Sequence, residues 1–226
     1  MQKKKRKGLL ITFEGPDGSG KTTVALKIAE WLQKKIDGRG PTKIFYTREP
    51  GGKNNVIAED IRNILLNKIE YNITPMVETL LFAASRAQHV HDFIEPHLFK
   101  NHIVLCDRFI HSSIVYQGIG RNIGINIVKA INQFATNGIE PDITFVLMLK
   151  PTIGLKRIMN NTSREQNRLD KEKLALHNLV YQGYKKLIKK YPKKMIPINA
   201  NQSINDVLKD IKPYIEKLIQ QKKYHG

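Results

Sequence analysis

Residues 15–22 read GPDGSGKT and match G-x-x-x-x-G-K-[ST] at every fixed position. No other stretch constrains the fold as tightly, because the pattern works only between a strand and a helix. GLLITF, residues 8–13, precedes it as a short apolar strand. A helix starting at Lys21 and running to about residue 35 follows, with Val24, Ile28, Trp31 and Leu32 on one face. In such a loop the backbone N–H groups converge on a β-phosphate and the helix points its positive end at the anion. Lys21 reaches the β- and γ-phosphates, and Thr22 offers its hydroxyl to Mg²⁺. Gly15, Pro16, Asp17, Gly18, Ser19, Gly20, Lys21, Thr22 and Thr23 are therefore candidate residues for binding a nucleoside triphosphate, ATP or GTP.

Strands and helices alternate along the rest of the chain. Residues 43–47, 103–106, 143–150 and 195–199 read as further apolar strands. Helical patterns cover 56–66, 75–99, 125–136 and 151–160, and two more helices flank the last strand. Five apolar strands joined by helical crossovers imply a parallel sheet with helices on both faces, the α/β P-loop NTPase fold. At 226 residues and 41% hydrophobic content the chain fills one such domain, with no linker to divide it. Residues 8–226 are expected to form that domain, with residues 1–7 as a disordered basic tail.

No apolar run approaches the roughly 18 residues that a membrane span needs, and the start of the chain does not read as a signal peptide. The single cysteine, Cys106, excludes an internal disulfide. A soluble cytoplasmic protein is expected. The net charge of +18 raises the question of nucleic acid. Beyond the tail, however, the excess lysines are spread over amphipathic helices, and no basic groove with interleaved aromatics stands out. Nucleic acid is not the expected partner.

The loop does not say what happens to the γ-phosphate. A guanine-selecting N-K-x-D, as in a switch, is absent. Phosphoryl transfer calls for a second anion site and arginines around the moving group. Arg48 in TREPGG, Arg86 in LLFAASR and Arg108 in CDRF lie at or face the C-terminal edge of the strands, where open α/β sheets bind ligands. Arg164 and Arg168 sit in the polar stretch SREQNRLD.

FEGPDGSGKTT, TREPGG, LLFAASR, VLCDRF…SS…YQG and SREQNRLD together resemble the bacterial thymidylate kinase family, in the family's order and over nearly the whole chain. The resemblance implies transfer of the ATP γ-phosphate to dTMP, with Mg²⁺ required, in a homodimer. It implies that Phe82 stacks on the thymine ring, that Arg86 bonds the base edge, and that Ser113 and Gln117 complete the base pocket. Arg48 and Arg108 would grip the acceptor phosphate. Asp107, with Thr22, would order Mg²⁺ or its waters.

SREQNRLD resembles the family's lid, at about residues 160–171, closing over ATP. Arg164 would neutralise the migrating phosphoryl group, with Arg168 in support. Lys21, Arg108, Arg164 and Asp17 are thus the expected catalytic set. Asp17 would lie near the acceptor's 3′-hydroxyl and Arg48. No general base is needed, because a phosphate dianion is already a nucleophile.

Three positions depart from the pattern. Phe109 replaces a usual tyrosine, keeping a ring to crowd the sugar 2′ position. His111 stands where close relatives tend to carry Asp. Gly18 occupies the place where one branch of the family has a catalytic arginine. The alternatives are another nucleotide or deoxynucleoside kinase of the same fold, or a non-catalytic ATP-binding protein.

Overall fold

In the computed structural model of the chain, residues 6–35, 43–52, 55–67, 72–160, 168–169 and 172–225 are described. Five strands form one parallel sheet: β1 (Leu9–Glu14), β2 (Ile44–Arg48), β3 (Ile103–Asp107), β4 (Ile143–Met148) and β5 (Met195–Asn199). Their spatial order is β2-β3-β1-β4-β5, so β1 is central and the chain reverses direction across the sheet beside it. That reversal opens a crevice at the C-terminal ends of β1 and β3. The register brings the ends level, since Phe13 pairs with Asp107 and Asp107 with Arg48.

Alternation along β1 divides the core. Leu9, Ile11 and Phe13 pack with helix α1 (Lys21–Gln33) and the C-terminal helix Ile204–His225 through Val24, Ile28, Leu32, Val207 and Ile211. Trp31 is only partly buried there. Leu10 faces the other way, toward Val90, Ile94, Leu98, Val104 and Cys106. Both faces of the sheet are thus covered, as the apolar strands require.

Helix α2 (Val56–Asn67) packs against α3 (Pro75–His89). The expected helix over 75–99 is continuous but contains a π-helical turn at Val90–Ile94 before α4 (Glu95–Phe99). Residues 110–120, to which no element is assigned from sequence, are helical: α5 (Ile110–Ser113) runs into a π-helical segment, Ile114–Gly120. Then come α6 (Ile125–Ala135), α7 (Pro151–Met159) and α8 (Leu174–Lys190); the C-terminal helix is α9. Arg6, counted with the tail on sequence, pairs with Asp142 at 3.4 Å and donates to the Glu140 carbonyl. Residues 1–5 lie outside the described residues. Among the described residues no helix is long and apolar enough to cross a membrane.

Candidate active site

The phosphate loop leaves β1 at Glu14 and enters α1 at Lys21. Gly18 has φ +72, and a Cβ there would stand 2.6 Å from the Gly154 carbonyl carbon on α7. A Cβ on Gly154 would in turn collide with the Asp17 carbonyl oxygen. Two glycines placed back to back let the loop lie directly on α7. An arginine at position 18 does not fit this packing.

Lys21 folds over its own loop, donating to the Pro16 carbonyl at 2.9 Å and the Ser19 hydroxyl at 3.4 Å. Burial and the nearby Arg108 guanidinium lower its pKa to about 8. Thr22 Oγ1 donates to Asp107 Oδ2 at 2.5 Å. Asp107 Oδ1 is buried with no hydrogen-bond partner among the described residues. A hydroxyl beside an uncommitted carboxylate oxygen, at the mouth of a phosphate loop, is a donor set suited to Mg²⁺.

Arg108 explains the carboxylate in the loop. Its N–H donates to the Phe13 carbonyl at 2.9 Å, continuing the ladder, and its φ of +68 then turns the chain sharply. A left-handed non-glycine residue costs about 1–2 kcal/mol and persists only where its surroundings hold it. Here the guanidinium ion-pairs with Asp17 and donates to the Ser112 hydroxyl at 3.1 Å and the Gly15 carbonyl at 3.3 Å. Tyr116 lies beneath it, 5.2 Å from ring centroid to guanidinium carbon, and gives its hydroxyl to Asp17 at 2.7 Å. Burial pushes the Asp17 carboxyl up, but Arg108, Lys21 and Tyr116 outweigh it and hold the pKa below the ordinary value. Asp17 stays ionised as the counter-charge of Arg108. The expected neighbour Arg48 is instead bound to Glu59 at 3.1 Å and to the Pro50 carbonyl.

Beneath this pair lies Glu14, which the sequence reading passed over. Burial pushes its carboxyl above the ordinary range, against the pull of Ser112, Arg108 and Tyr184. It accepts from the hydroxyls of Ser112 (2.6 Å) and Tyr184 (2.8 Å) and from the N–H groups of Phe109 (2.9 Å) and Ser112 (3.0 Å). These bonds fix the start of α5 under Arg108.

The other end of the crevice is built on one face of α3, where Glu78, Phe82 and Arg86 follow at four-residue spacing. Phe82 packs with Leu65, Leu66 and Leu169. Arg86 is buried and held by four partners: Glu49 at 2.7 Å, Ser113 at 3.0 Å, Asn132 at 2.6 Å and the Phe109 carbonyl at 3.3 Å. Gln117 donates to Glu78 at 2.9 Å.

Asp17, Gly18, Gly20, Lys21, Thr22, Thr23, Arg48, Phe82, Arg86, Asp107, Arg108, Ser113 and Gln117 line one cleft of about 640 Å³. That is room for a small-molecule ligand. Phe109 is different. Its side chain is fully buried in the cluster of Leu10, Val90 and Cys106 and does not line the cleft, so it cannot crowd a sugar. Besides Phe82, the ring that lines the cleft among the described residues is Tyr116. His111 also turns away, with Nδ1 3.4 Å from the Thr144 hydroxyl, and burial lowers its pKa to about 4.

Arg168 reaches Glu78 at 2.5 Å and the Leu65 carbonyl at 3.0 Å, at the Phe82 end and away from the phosphate loop. Arg164 and most of the expected lid lie outside the described residues. Arg62, which donates to the Pro50 carbonyl at 2.8 Å, and Arg157 line the cleft without any motif to announce them.

A family model described as thymidylate kinase matches residues 13–211. The chain is 45% identical over 210 residues to the thymidylate kinase of Clostridium novyi (strain NT), covering 93% of this chain and 99% of that one. It is 46% identical over 210 residues to that of Staphylococcus epidermidis (strain RP62A), covering 93% and 98%. The crystal structure of thymidylate kinase from Ehrlichia chaffeensis superimposes with a TM-score of 0.72 at 30% identity, covering 92% of this chain and 98% of that one.

Proposed function

The chain belongs to the thymidylate kinase family, and from that premise we propose that it transfers the γ-phosphate of ATP to dTMP, giving dTDP and ADP. The observation that carries this is one cleft joining a phosphate loop to a second cationic end, Arg48 and Arg108, with the aromatic Phe82 beyond. A phosphate oxygen of dTMP attacks the γ-phosphorus, and the bond to the bridging oxygen breaks with its electrons leaving on ADP. Lys21 balances charge on the β- and γ-phosphates. Arg108, held by Asp17, and Arg48 grip the acceptor phosphate. Phe82 stacks on the base, and Arg86, Ser113 and Gln117 set its edge.

Arg164 supplies further positive charge to the migrating group, while Arg168, expected to support it, is held by Glu78 at the Phe82 end. Thr22 and Asp107 would hold Mg²⁺, which supplies charge neutralisation of the triphosphate when bound. The chain acts as a homodimer in the cytoplasm. Support for the dimer comes from α2, α3 and α6, neighbours in the fold that leave Ile57, Ile64, Val77, Leu80, Ile127 and Phe134 exposed.

The deciding experiment is a coupled ADP-release assay across dTMP, dUMP, AMP, CMP, GMP and thymidine. We expect dTMP to be used fastest, dUMP next and the others far more slowly. Preference for AMP or CMP would overturn the assignment, and preference for thymidine would make the protein a nucleoside kinase.

A further inference from the structure

Glu78 sits in the first turn of α3, almost wholly buried, behind the cleft and not in its lining. Four donors converge on its carboxylate. Oε1 takes Gln117 Nε2 at 2.9 Å and Arg121 Nε at 3.2 Å, while Oε2 takes Arg121 Nη2 at 3.2 Å and Arg168 Nη2 at 2.5 Å. Arg121 is held from its other side by Glu172. Burial pushes the carboxyl up, but the bonds from Arg121, Gln117 and Arg168 outweigh it and keep it below its ordinary range. A carboxylate between two guanidinium groups has no proton to give. Whatever faces Glu78 from Gln117 must therefore be the amide nitrogen.

That determines the other half of the amide. The terminal torsion of a glutamine is broad and roughly two-fold, so a free side chain offers its oxygen or its nitrogen with similar ease. With the nitrogen committed to Glu78, the oxygen is the end left for the cleft that Gln117 lines, and no described residue donates to it. An oxygen there accepts a hydrogen bond and cannot give one. Thymine and uracil carry an N–H at ring position 3, whereas cytosine carries a lone pair at the same place. Cytosine would set acceptor against acceptor in a buried site, and an unmade bond of that kind is costly.

We propose that Glu78 is a specificity-determining positioning residue, which fixes the amide of Gln117 so that the cleft accepts pyrimidine nucleotides with an N–H at ring position 3. The inference rests on the reading of dTMP as acceptor and Gln117 as its base contact. The test compares kcat/KM for dTMP and dCMP in the wild type, Glu78→Gln and Glu78→Asp. In Glu78→Gln the two guanidinium groups claim the new amide's oxygen, its nitrogen faces Gln117, and Gln117 turns its own nitrogen into the cleft. The preference for dTMP over dCMP should fall by about 10- to 100-fold, part of it as a gain on dCMP. Glu78→Asp, still acceptor-only, should keep the direction of preference.

A purely structural role would lower both activities together and leave the ratio unchanged, which would overturn the proposal. The wild type provides a reading that does not depend on a variant folding: dTMP methylated at N3 should be a poor acceptor, and turnover equal to that of dTMP would also overturn it. A wild type inactive on dTMP would remove the functional reading and this inference together. A wild type active on dTMP whose ratio survives Glu78→Gln would remove only the inference.

Discussion

Lys21 makes nucleotide binding a proton-coupled event. Burial and Arg108 lower its pKa to about 8, against an ordinary 10.5. A triphosphate favours the charged amine, so binding returns the pKa upward. At about 1.4 kcal/mol per unit, recovery of the ordinary value represents about 3 kcal/mol of differential affinity. The sign follows from the lowered free pKa: the protonated fraction is full well below about 8 and shrinks as pH rises through it. ATP affinity should be flat up to near neutrality and about tenfold weaker at about pH 9 than at about pH 7.

Titration calorimetry in two buffers of different ionisation enthalpy reads the same coupling as proton uptake, about half a proton per ATP at about pH 8. Lys21→Met should bind ATP weakly and lose both signatures. An affinity that stays flat from about pH 7 to about pH 9, with no proton uptake, would refute the reasoning.

Asp17→Asn leaves Arg108 without its counter-charge in a mostly buried pair and should cost up to about 3 kcal/mol of stability in urea unfolding. Because the folded Asp17 pKa lies below 3.8, that difference should persist as pH is lowered and close only beneath this value; narrowing well above it would contradict the pairing. Arg164→Ala should lower kcat by more than it raises the KM for dTMP, and a change in KM alone would make Arg164 a binding residue. Phe134, 91% exposed on α6, should be covered in the dimer, so Phe134→Glu should sediment as monomer where the wild type sediments as dimer. An unaltered dimer would place the interface elsewhere.

Much of the fold was legible because its signals are local. The loop and helix of residues 15–33 are written in consecutive residues, and each strand is a short apolar run closed by a polar or turn residue. The helix at 110–120 was not, because IHSSIVYQGIG mixes β-branched residues with two glycines and forms π-helical geometry that leaves no 3.6-residue period. What holds it is remote: Glu14 lies 98 residues from Ser112 and 170 from Tyr184. Distance in sequence also hid Glu78, whose partners arrive from two separate segments, residues 117–121 and residue 168. Phe109 misled because the DR-x motif gives a residue type and not a direction. Its neighbour Arg108 takes the left-handed turn, and the ring after it swings into the core.

The contact between Gly18 and Gly154 bears on how such a site can change over time. Position 18 cannot gain a side chain while α7 keeps its present seat, and position 154 is bound by the same condition through the Asp17 carbonyl. The two glycines form a double lock in which neither residue is free to mutate first. In this chain an arginine at position 18 would require a backbone rearrangement as well as the substitution itself. An engineer grafting that arginine into this chain would have to move the helix before adding the charge.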